Sequence, residues 1–145
     1  MSSNVATAGA YPTDTNRRKG LHIALWIAQG LLALAFGMIG AMKTFTPIAE
    51  LAEKMPMAIS PALIRFIGIS ELAGAIGLIL PAATRIKPVL TPIAGALLAL
   101  VMVLAAAFHV ARGEFGSLPV NFILGGLAAF IAWGRFKAAP IQPRD

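Results

Sequence analysis

The sequence predicts an all-α polytopic membrane protein, a bundle of four transmembrane helices with both the N- and C-termini cytoplasmic. Three observations predict this class. Hydrophobic residues make up 58% of the 145 residues and charged residues only 12%, whereas soluble domains carry about 25% charged residues. Four apolar runs are each long enough to cross the ~30 Å hydrocarbon core of a bilayer. Short links between the last three runs make consecutive helices antiparallel neighbours.

The first element is a polar tail followed by a long apolar run. Residues 1–20 are small and polar and end in the basic Arg17-Arg18-Lys19, so we predict a disordered cytoplasmic N-tail. The apolar run 21–42 is longer than the h-region of a signal peptide, which spans about 7–15 residues. We therefore predict a retained signal-anchor helix.

Three further spans complete the transmembrane domain, which we place at residues 21–136, and a C-terminal tail follows at 137–145. The second span is bounded by Ser60 as its cap, Pro61 at its first position and Pro81 at its end. The longer connection 43–61 contains a short predicted helix after Pro47. The predicted bounds of the three spans are 62–80, 88–110 and 118–136.

The distribution of Lys and Arg predicts the orientation. Eight of them fall on the side of the two termini: Arg17, Arg18, Lys19, Arg85, Lys87, Arg135, Lys137 and Arg144. Four fall on the other side: Lys43, Lys54, Arg65 and Arg112. The positive-inside rule then places both termini in the cytoplasm of a bacterium, with the spans in its inner membrane. The net charge of +6 therefore reflects topology and contact with lipid headgroups, and no basic patch interleaved with aromatic residues indicates nucleic-acid binding.

Each helix has one face on which polar and small residues recur at helical spacing. Such faces pack against each other in a bilayer, because lipid gives helices no hydrophobic reason to associate. The predicted inner face of the first helix is His22, Trp26, Gln29, Ala33, Phe36, Gly40 and Lys43, opposite a lipid face of Ile27, Leu31, Leu34 and Met38. The inner faces of the other three contain Glu71 with Gly68 and Gly74, His109 with Gly95 and Ala105, and Asn121 with Gly125 and Ala128.

The polar members of these faces are the candidate ligand-binding residues. The alternating helix directions place Lys43, Glu71, His109 and Asn121 around one polar cavity in the outer half of the bundle, with Gln29 deeper and near Glu71. An ionisable residue at mid-membrane costs several kcal/mol, so its default interpretation is functional. Structural alternatives remain open.

Each structural alternative is specific. Glu71 would lock helices together by pairing with Lys43 or an arginine, and Asn121 would form an interhelical hydrogen bond. His109 would face lipid headgroups at a helix end. Lys43 would extend its ammonium group to the interface.

Several chemistries are excluded by composition. The chain has no cysteine, so it forms no disulfide, thiolate metal site or dithiol redox centre. Its two histidines, His22 and His109, lie at opposite ends of the predicted bundle and cannot share a haem or a metal. We predict no metal site, and no motif identifies catalytic residues or a reaction.

Four segments resemble the DoxX-like family of four-helix bacterial membrane proteins. They are GMIGAMK (37–43), IGISELAGAIGLILP (67–81), AAAFHVARG (105–113) and NFILGGLAAFIAWGR (121–135). The resemblance implies kinship with the DoxX and DoxD proteins, the latter named as subunits of a thiosulfate:quinone oxidoreductase, and with membrane components linked to redox stress. It also implies that Lys43, Glu71 and His109 are the polar positions of the family in this chain.

Three functions are compatible with these observations. The first is a redox-associated membrane subunit that binds a quinone as ligand in the outer cavity. Because no residue here carries electrons, it would work with a membrane redox partner. The second is a transporter subunit with Glu71 as a proton-coupled site, which would form a homo-oligomer because four helices are few for alternating access. The third is a non-catalytic scaffold.

Overall fold

The computed structural model describes residues 13–54 and 59–145, and these are helical almost throughout. The helices are α1 (Thr13–Phe45), α2 (Ile48–Lys54), α3 (Pro61–Thr84), α4 (Leu90–Ala111) and α5 (Leu118–Trp133). A 3-10 turn precedes α5 and a π-helical turn (Gly134–Ala138) extends it. Four helical segments are long and apolar enough to span a membrane. The described residues contain no strand, and the predicted all-α class with four spans is confirmed.

The bundle has two ends that differ in what they carry. α1 packs mainly on α3 and α4 mainly on α5, while α3 and α4 join the two pairs. We call the end at which α1 begins, α3 ends, α4 begins and α5 ends the termini end. The opposite end, which carries α2 and the connection between α4 and α5, is the loop end. The predicted short helix in the 43–61 connection is present as α2, whose Leu51 is fully buried.

The first helix begins earlier than the sequence predicted. We expected a disordered tail over residues 1–20, but α1 starts at Thr13. Asp14 lies in its first turn, where a negative charge is favourable, and it forms an ion pair with Arg18 one turn later, at 3.7 Å. These local interactions extend the helix beyond the apolar run. The rest of the predicted tail, residues 1–12, lies outside the described residues.

The second spanning helix continues past the proline that was expected to end it. Pro81 is buried inside α3, which runs to Thr84 rather than to residue 80. Proline removes one backbone donor, and membrane helices tolerate this when nearby groups satisfy the backbone. The carbonyl that loses its donor is that of Gly77, one turn earlier. The bond from the Thr84 hydroxyl to the Leu80 carbonyl, at 2.7 Å, lies in the following turn. Arg85, with φ of 61°, ends the helix in the left-handed region.

Burial agrees with the predicted lipid face and with most of the predicted inner faces, but His22 is exposed and Trp26 and Ala33 are half-buried. Phe36, Leu78 and Leu98 are fully or almost fully buried in the core where the four helices meet. The predicted lipid face of α1, from Ile27 to Met38, is 58–66% exposed. Large apolar side chains are exposed along all four spans. A surface this apolar is compatible with lipid and not with water, so the bundle lies in a bilayer.

Candidate functional site

Two glycines let α1 and α3 cross in close contact near the loop end. A Cβ atom on Gly40 would lie 2.8 Å from the carbonyl oxygen of Gly68 and 2.9 Å from the backbone nitrogen of Leu72. A Cβ atom on Gly68 would lie 2.7 Å from both Lys43 Cβ and Thr44 Oγ1. Only glycine fits at these two positions without displacing a neighbour, as is typical where membrane helices pack backbone to backbone.

This crossing holds a buried ion pair. Lys43 Nζ lies 2.8 Å from Glu71 Oε1. The Glu71 side chain is 1% exposed and the Lys43 side chain 20%. Within the described part of the chain, Glu71 Oε2 and Thr44 Oγ1 are buried and have no hydrogen-bond partner. The carboxylate is therefore satisfied on one oxygen only.

Arg65 fixes the backbone that carries Lys43. Its guanidinium donates to the carbonyl oxygens of Lys43, Thr44 and Thr46 at 2.7, 2.5 and 2.6 Å. The last carbonyls of a helix have no partner within the helix, and a basic side chain at that position satisfies them. The end of α1 is thus tied to α3 by a polar contact as well as by the ion pair.

Asn121 lies near the depth of this pair on the inner face of α5. It is 9% exposed, and its Nδ2 has no hydrogen-bond partner among residues 13–54 and 59–145. A Cβ atom on Gly125, one turn away, would lie 3.1 Å from Met102 of α4, and one on Gly74 of α3 would lie 2.6 Å from Leu98. The helical rise from these contacts puts Asn121 within about one turn of the depth of Gly68 and about 7 Å nearer the loop end than Glu71.

His109 is engaged by its own segment. Its Nδ1 lies 2.8 Å from Glu114 Oε2, and Arg112 Nε donates to Glu114 Oε1 at 2.7 Å. The hydrogen bond from Arg112, and then that from His109, lowers the pKa of Glu114 below its ordinary value. The rise of α4 places His109 about 12 Å beyond the depth of Glu71, toward the loop end. The structure therefore brings Lys43 and Glu71 together and shows His109 bonded to Glu114 instead.

Gln29 also lies apart from Glu71. Its Nε2 donates to the carbonyl oxygen of Leu78 at 2.6 Å, and its Oε1 accepts from Arg135 Nε at 2.7 Å. The antiparallel register explains this position. Gly40 lies against Glu71 and Gly37 against Ala75, so each step back along α1 is a step forward along α3. Gln29 is therefore level with the last turns of α3, about three turns from Glu71.

The residue that meets Gln29 belongs to a second polar cluster, at the termini end. Arg135 is 3% exposed in the π-helical turn after α5. Its NH1 donates to the carbonyl oxygen of Ala139 at 3.2 Å and lies 3.0 Å from His22 Nδ1, and its guanidinium carbon lies 5.5 Å from the centre of the Trp26 ring. NH2 is buried, and the described residues offer it no partner. Arg135, predicted only to contribute to the cytoplasmic positive charge, continues the inner face Asn121, Gly125, Ala128 and Ala132 at the same spacing.

His22 faces two donors in this cluster. Trp26 Nε1 donates toward His22 Nε2 at 3.1 Å, while Arg135 NH1 approaches Nδ1. A neutral imidazole has a single acceptor nitrogen. The ring therefore accepts a hydrogen bond from either Trp26 or Arg135, and the other donor does not bond to His22.

Two cavities open at the termini end. One, of about 400 Å³, is lined by residues that include His22, Trp26 and Arg85. The other, of about 430 Å³, is lined by residues that include Lys87 and Arg135. Pro140 and Ile141 of the C-terminal segment border both. Lys43 and Glu71 border neither.

The comparisons with known proteins identify a family and nothing finer. Residues 27–131 match the DoxX-like family. The matched range includes all five candidate residues, Gln29, Lys43, Glu71, His109 and Asn121, whereas Arg135 lies beyond it. No curated protein and no solved structure matches the chain significantly.

Proposed function

Because the chain belongs to the DoxX-like family, we propose that it is a redox-associated subunit of the bacterial inner membrane that binds a quinone-like lipophilic ligand. The observation that supports this proposal is Glu71. It is a carboxylate buried in a spanning helix, with one oxygen bound to Lys43 and the other unpartnered within the described residues. Such a group is costly in a bilayer, and a ligand that uses the second oxygen would lower that cost.

The polar atoms at this depth fit the head group of a quinone. Its carbonyl oxygens accept hydrogen bonds, and Lys43 Nζ and the unpartnered Asn121 Nδ2 are donors. The hydroxyl groups of its reduced form donate, and Glu71 Oε2 is an unused acceptor. The bound quinone would supply the electron chemistry. The chain would hold the head group and exclude water from it.

Exposure and charge favour an approach from the loop end. Lys43 is the more exposed member of the pair, so a ligand meets its ammonium group before the Glu71 carboxylate. The excess of basic residues at the termini end favours a cytoplasmic position for that end. In this orientation the ion pair belongs to the outer half of the membrane, and electrons would pass to a partner protein there.

The test is quinone retention. The wild-type protein is purified in detergent, loaded with a short-chain ubiquinone or menaquinone, and examined by native mass spectrometry and by solvent extraction. We expect Asn121→Leu to reduce retention of the oxidised quinone, and Glu71→Gln to reduce retention of the same ligand loaded in its reduced form. Each loss should be about tenfold, the effect of losing one hydrogen bond to a buried group. Ser70→Ala is the matched control, because the Ser70 hydroxyl bonds within α3, to the Phe66 carbonyl at 2.8 Å. Equal retention by wild type, Glu71→Gln and Asn121→Leu would overturn the proposal.

A scaffold is the second candidate, and the helix crossing favours it. The ion pair, the two glycines and the three bonds of Arg65 all lie at one contact between α1 and α3. A lock of this kind needs no ligand. If the chain is a scaffold, Glu71→Gln lowers thermal stability while neither quinone is retained by the wild type.

A further inference from the structure

Arg135 is a buried cation without a nearby carboxylate. Across residues 13–54 and 59–145, no Asp or Glu oxygen lies within 4 Å of its guanidinium. Its hydrogen-bond partners are Gln29, His22 and the Ala139 carbonyl, and none of them carries a negative charge. Among the described residues, its NH2 has no hydrogen-bond partner. An uncompensated buried charge is strongly unfavourable. The arrangement is therefore incomplete as it stands.

A cavity of about 430 Å³ is lined by Arg135 and other residues at this end of the bundle. Arg135 and Lys87 both line it, and no acidic residue does. Its other walls are apolar and include Val89, Phe136 and Ile141. Two cationic groups in a mostly apolar cavity make a site for a ligand with an anionic head and an apolar remainder.

The surroundings attract anions over a longer range. The described basic residues of the termini end are Arg17, Arg18, Lys19, Arg85, Lys87, Arg135, Lys137 and Arg144, and the acidic side chains there are Asp14 and Asp145. A region lined by one sign of charge raises the local concentration of ions of the opposite sign. The cavity lies at the edge of the spanning segments, which end at Thr84 and Ala138 and begin again at Leu90. This is the depth of lipid headgroups.

We propose that the Arg135–Lys87 cavity binds a negatively charged phosphate group. A guanidinium with a free nitrogen is suited to phosphate oxygens, and charge-assisted hydrogen bonds of this kind are about twice as strong as neutral ones. Lys87 supplies the second charge. The phosphate belongs either to an anionic phospholipid headgroup or to a soluble phosphate compound. The site is separate from Lys43 and Glu71 and does not depend on quinone binding.

Trp26 provides a direct readout, because its ring lies against the Arg135 guanidinium. The chain has two tryptophans, so a Trp133→Phe background leaves Trp26 as the single emitter. The protein in neutral detergent is titrated at constant ionic strength with short-chain phosphatidylglycerol, short-chain phosphatidylcholine or inorganic phosphate, and sodium chloride serves as the blank. Trp26 emission is recorded at each addition.

A saturable change with phosphatidylglycerol but not with phosphatidylcholine supports the proposal with a lipid as the source. Saturation by inorganic phosphate supports it with a soluble source. In either case we expect Arg135→Gln to weaken binding about tenfold or more and Lys87→Ala about threefold. Lys19→Ala, which removes a charge at the same end but outside the cavity, and Glu71→Gln should leave the affinity unchanged.

Three results would overturn the proposal. They are no saturable change with either anion, equal binding of phosphatidylcholine and phosphatidylglycerol, and an affinity that Lys87→Ala leaves at the wild-type value. Lys87 is exposed, so Lys87→Ala remains decisive if Arg135→Gln does not fold.

Discussion

The loop end and the termini end each bury a charged group, and they compensate it differently. Glu71 is met by Lys43, a charge of opposite sign from the neighbouring helix. Arg135 is met by Gln29, His22 and a backbone carbonyl, with one nitrogen left over among the described contacts. The first arrangement is electrically self-contained, because both charges come from this chain. The second arrangement leaves the positive charge of Arg135 without a counter-charge, because dipoles alone neutralise no charge, and an anion from outside the chain would supply one.

Of the substitutions that test this comparison, removal of Glu71 should lower the free energy of unfolding most. Glu71→Ala leaves the Lys43 ammonium without a counter-charge, which costs about 3–5 kcal/mol for a fully buried pair. We expect the lower part of that range, because the Lys43 side chain is 20% exposed. The free energy of unfolding is measured by titration with sodium dodecyl sulfate in mixed micelles, followed by circular dichroism.

The matched control for this change removes both charges. Lys43→Met with Glu71→Leu should lose less free energy of unfolding than Glu71→Ala alone, because no unpaired charge remains. If Glu71→Ala lowers the free energy of unfolding by less than about 1 kcal/mol, the Lys43–Glu71 pair contributes no more to stability than a solvent-exposed salt bridge does.

A substitution at the glycine contact between α1 and α3 should cause the next largest loss of free energy of unfolding. Gly68→Ala places a methyl group 2.7 Å from Lys43 Cβ and Thr44 Oγ1, and overpacking of this kind costs about 1–3 kcal/mol. Gly126→Ala is the control, because a Cβ atom there meets nothing within 4 Å. The same unfolding titration separates them, and equal stability of the two variants would contradict the close approach of α1 and α3.

Removing Arg135 should cost less than removing Glu71. Arg135→Met takes away a buried cation that has no counter-charge within the described residues, so the lost hydrogen bonds are offset by the lost dehydration cost. We expect a change below about 1 kcal/mol in phosphate-free detergent. Lys137→Met, an exposed cation of the same turn, is the control for surface charge. A loss as large as that of Glu71→Ala would mean that neutral partners suffice to stabilise Arg135.

The smallest expected effect concerns the exposed cluster at His109. Arg112, and then His109, lowers the pKa of Glu114 below its ordinary value of 4.5. Because the folded-state pKa is below the unfolded one, the contribution to stability is complete above pH 4.5 and is lost as pH falls through the folded-state pKa. The difference in melting temperature between wild type and Glu114→Gln should therefore shrink as pH is lowered from 7 toward 3. A difference that is constant with pH would exclude the ionised carboxylate as its source.

Much of the fold was predictable because lipid imposes simple rules on sequence. Long apolar runs become spans, and faces with small and polar residues turn inward, as Gly68 and Glu71 do. The pairing of Lys43 with Glu71 was one of the structural alternatives that these faces and the alternating helix directions left open. Pro81 was misleading because membrane helices tolerate an internal proline better than soluble helices do, and Pro81 is buried inside α3 here.

The position of Gln29 could not be obtained by counting alone. Depth in a helix pair depends on the register between helices, and the contact of Gly40 with Glu71 sets that register in three dimensions. Arg135 was counted with the cytoplasmic charges because it follows the last apolar run. It continues the inner face of α5 at helical spacing from Ala132, and this spacing could have indicated that it is buried.

The first eight residues of α1 extend the helix beyond its apolar stretch and so set a distance from the membrane. The helix runs from Thr13, while its apolar stretch begins at residue 21, so the part outside the hydrocarbon is about 12 Å long at the rise of an α-helix. Thr13 is therefore held at about that distance from the hydrocarbon by a helical segment that carries Arg17, Arg18 and Lys19. A label attached near Thr13 would report that distance directly, and inserting one helical turn should raise it by about 5 Å.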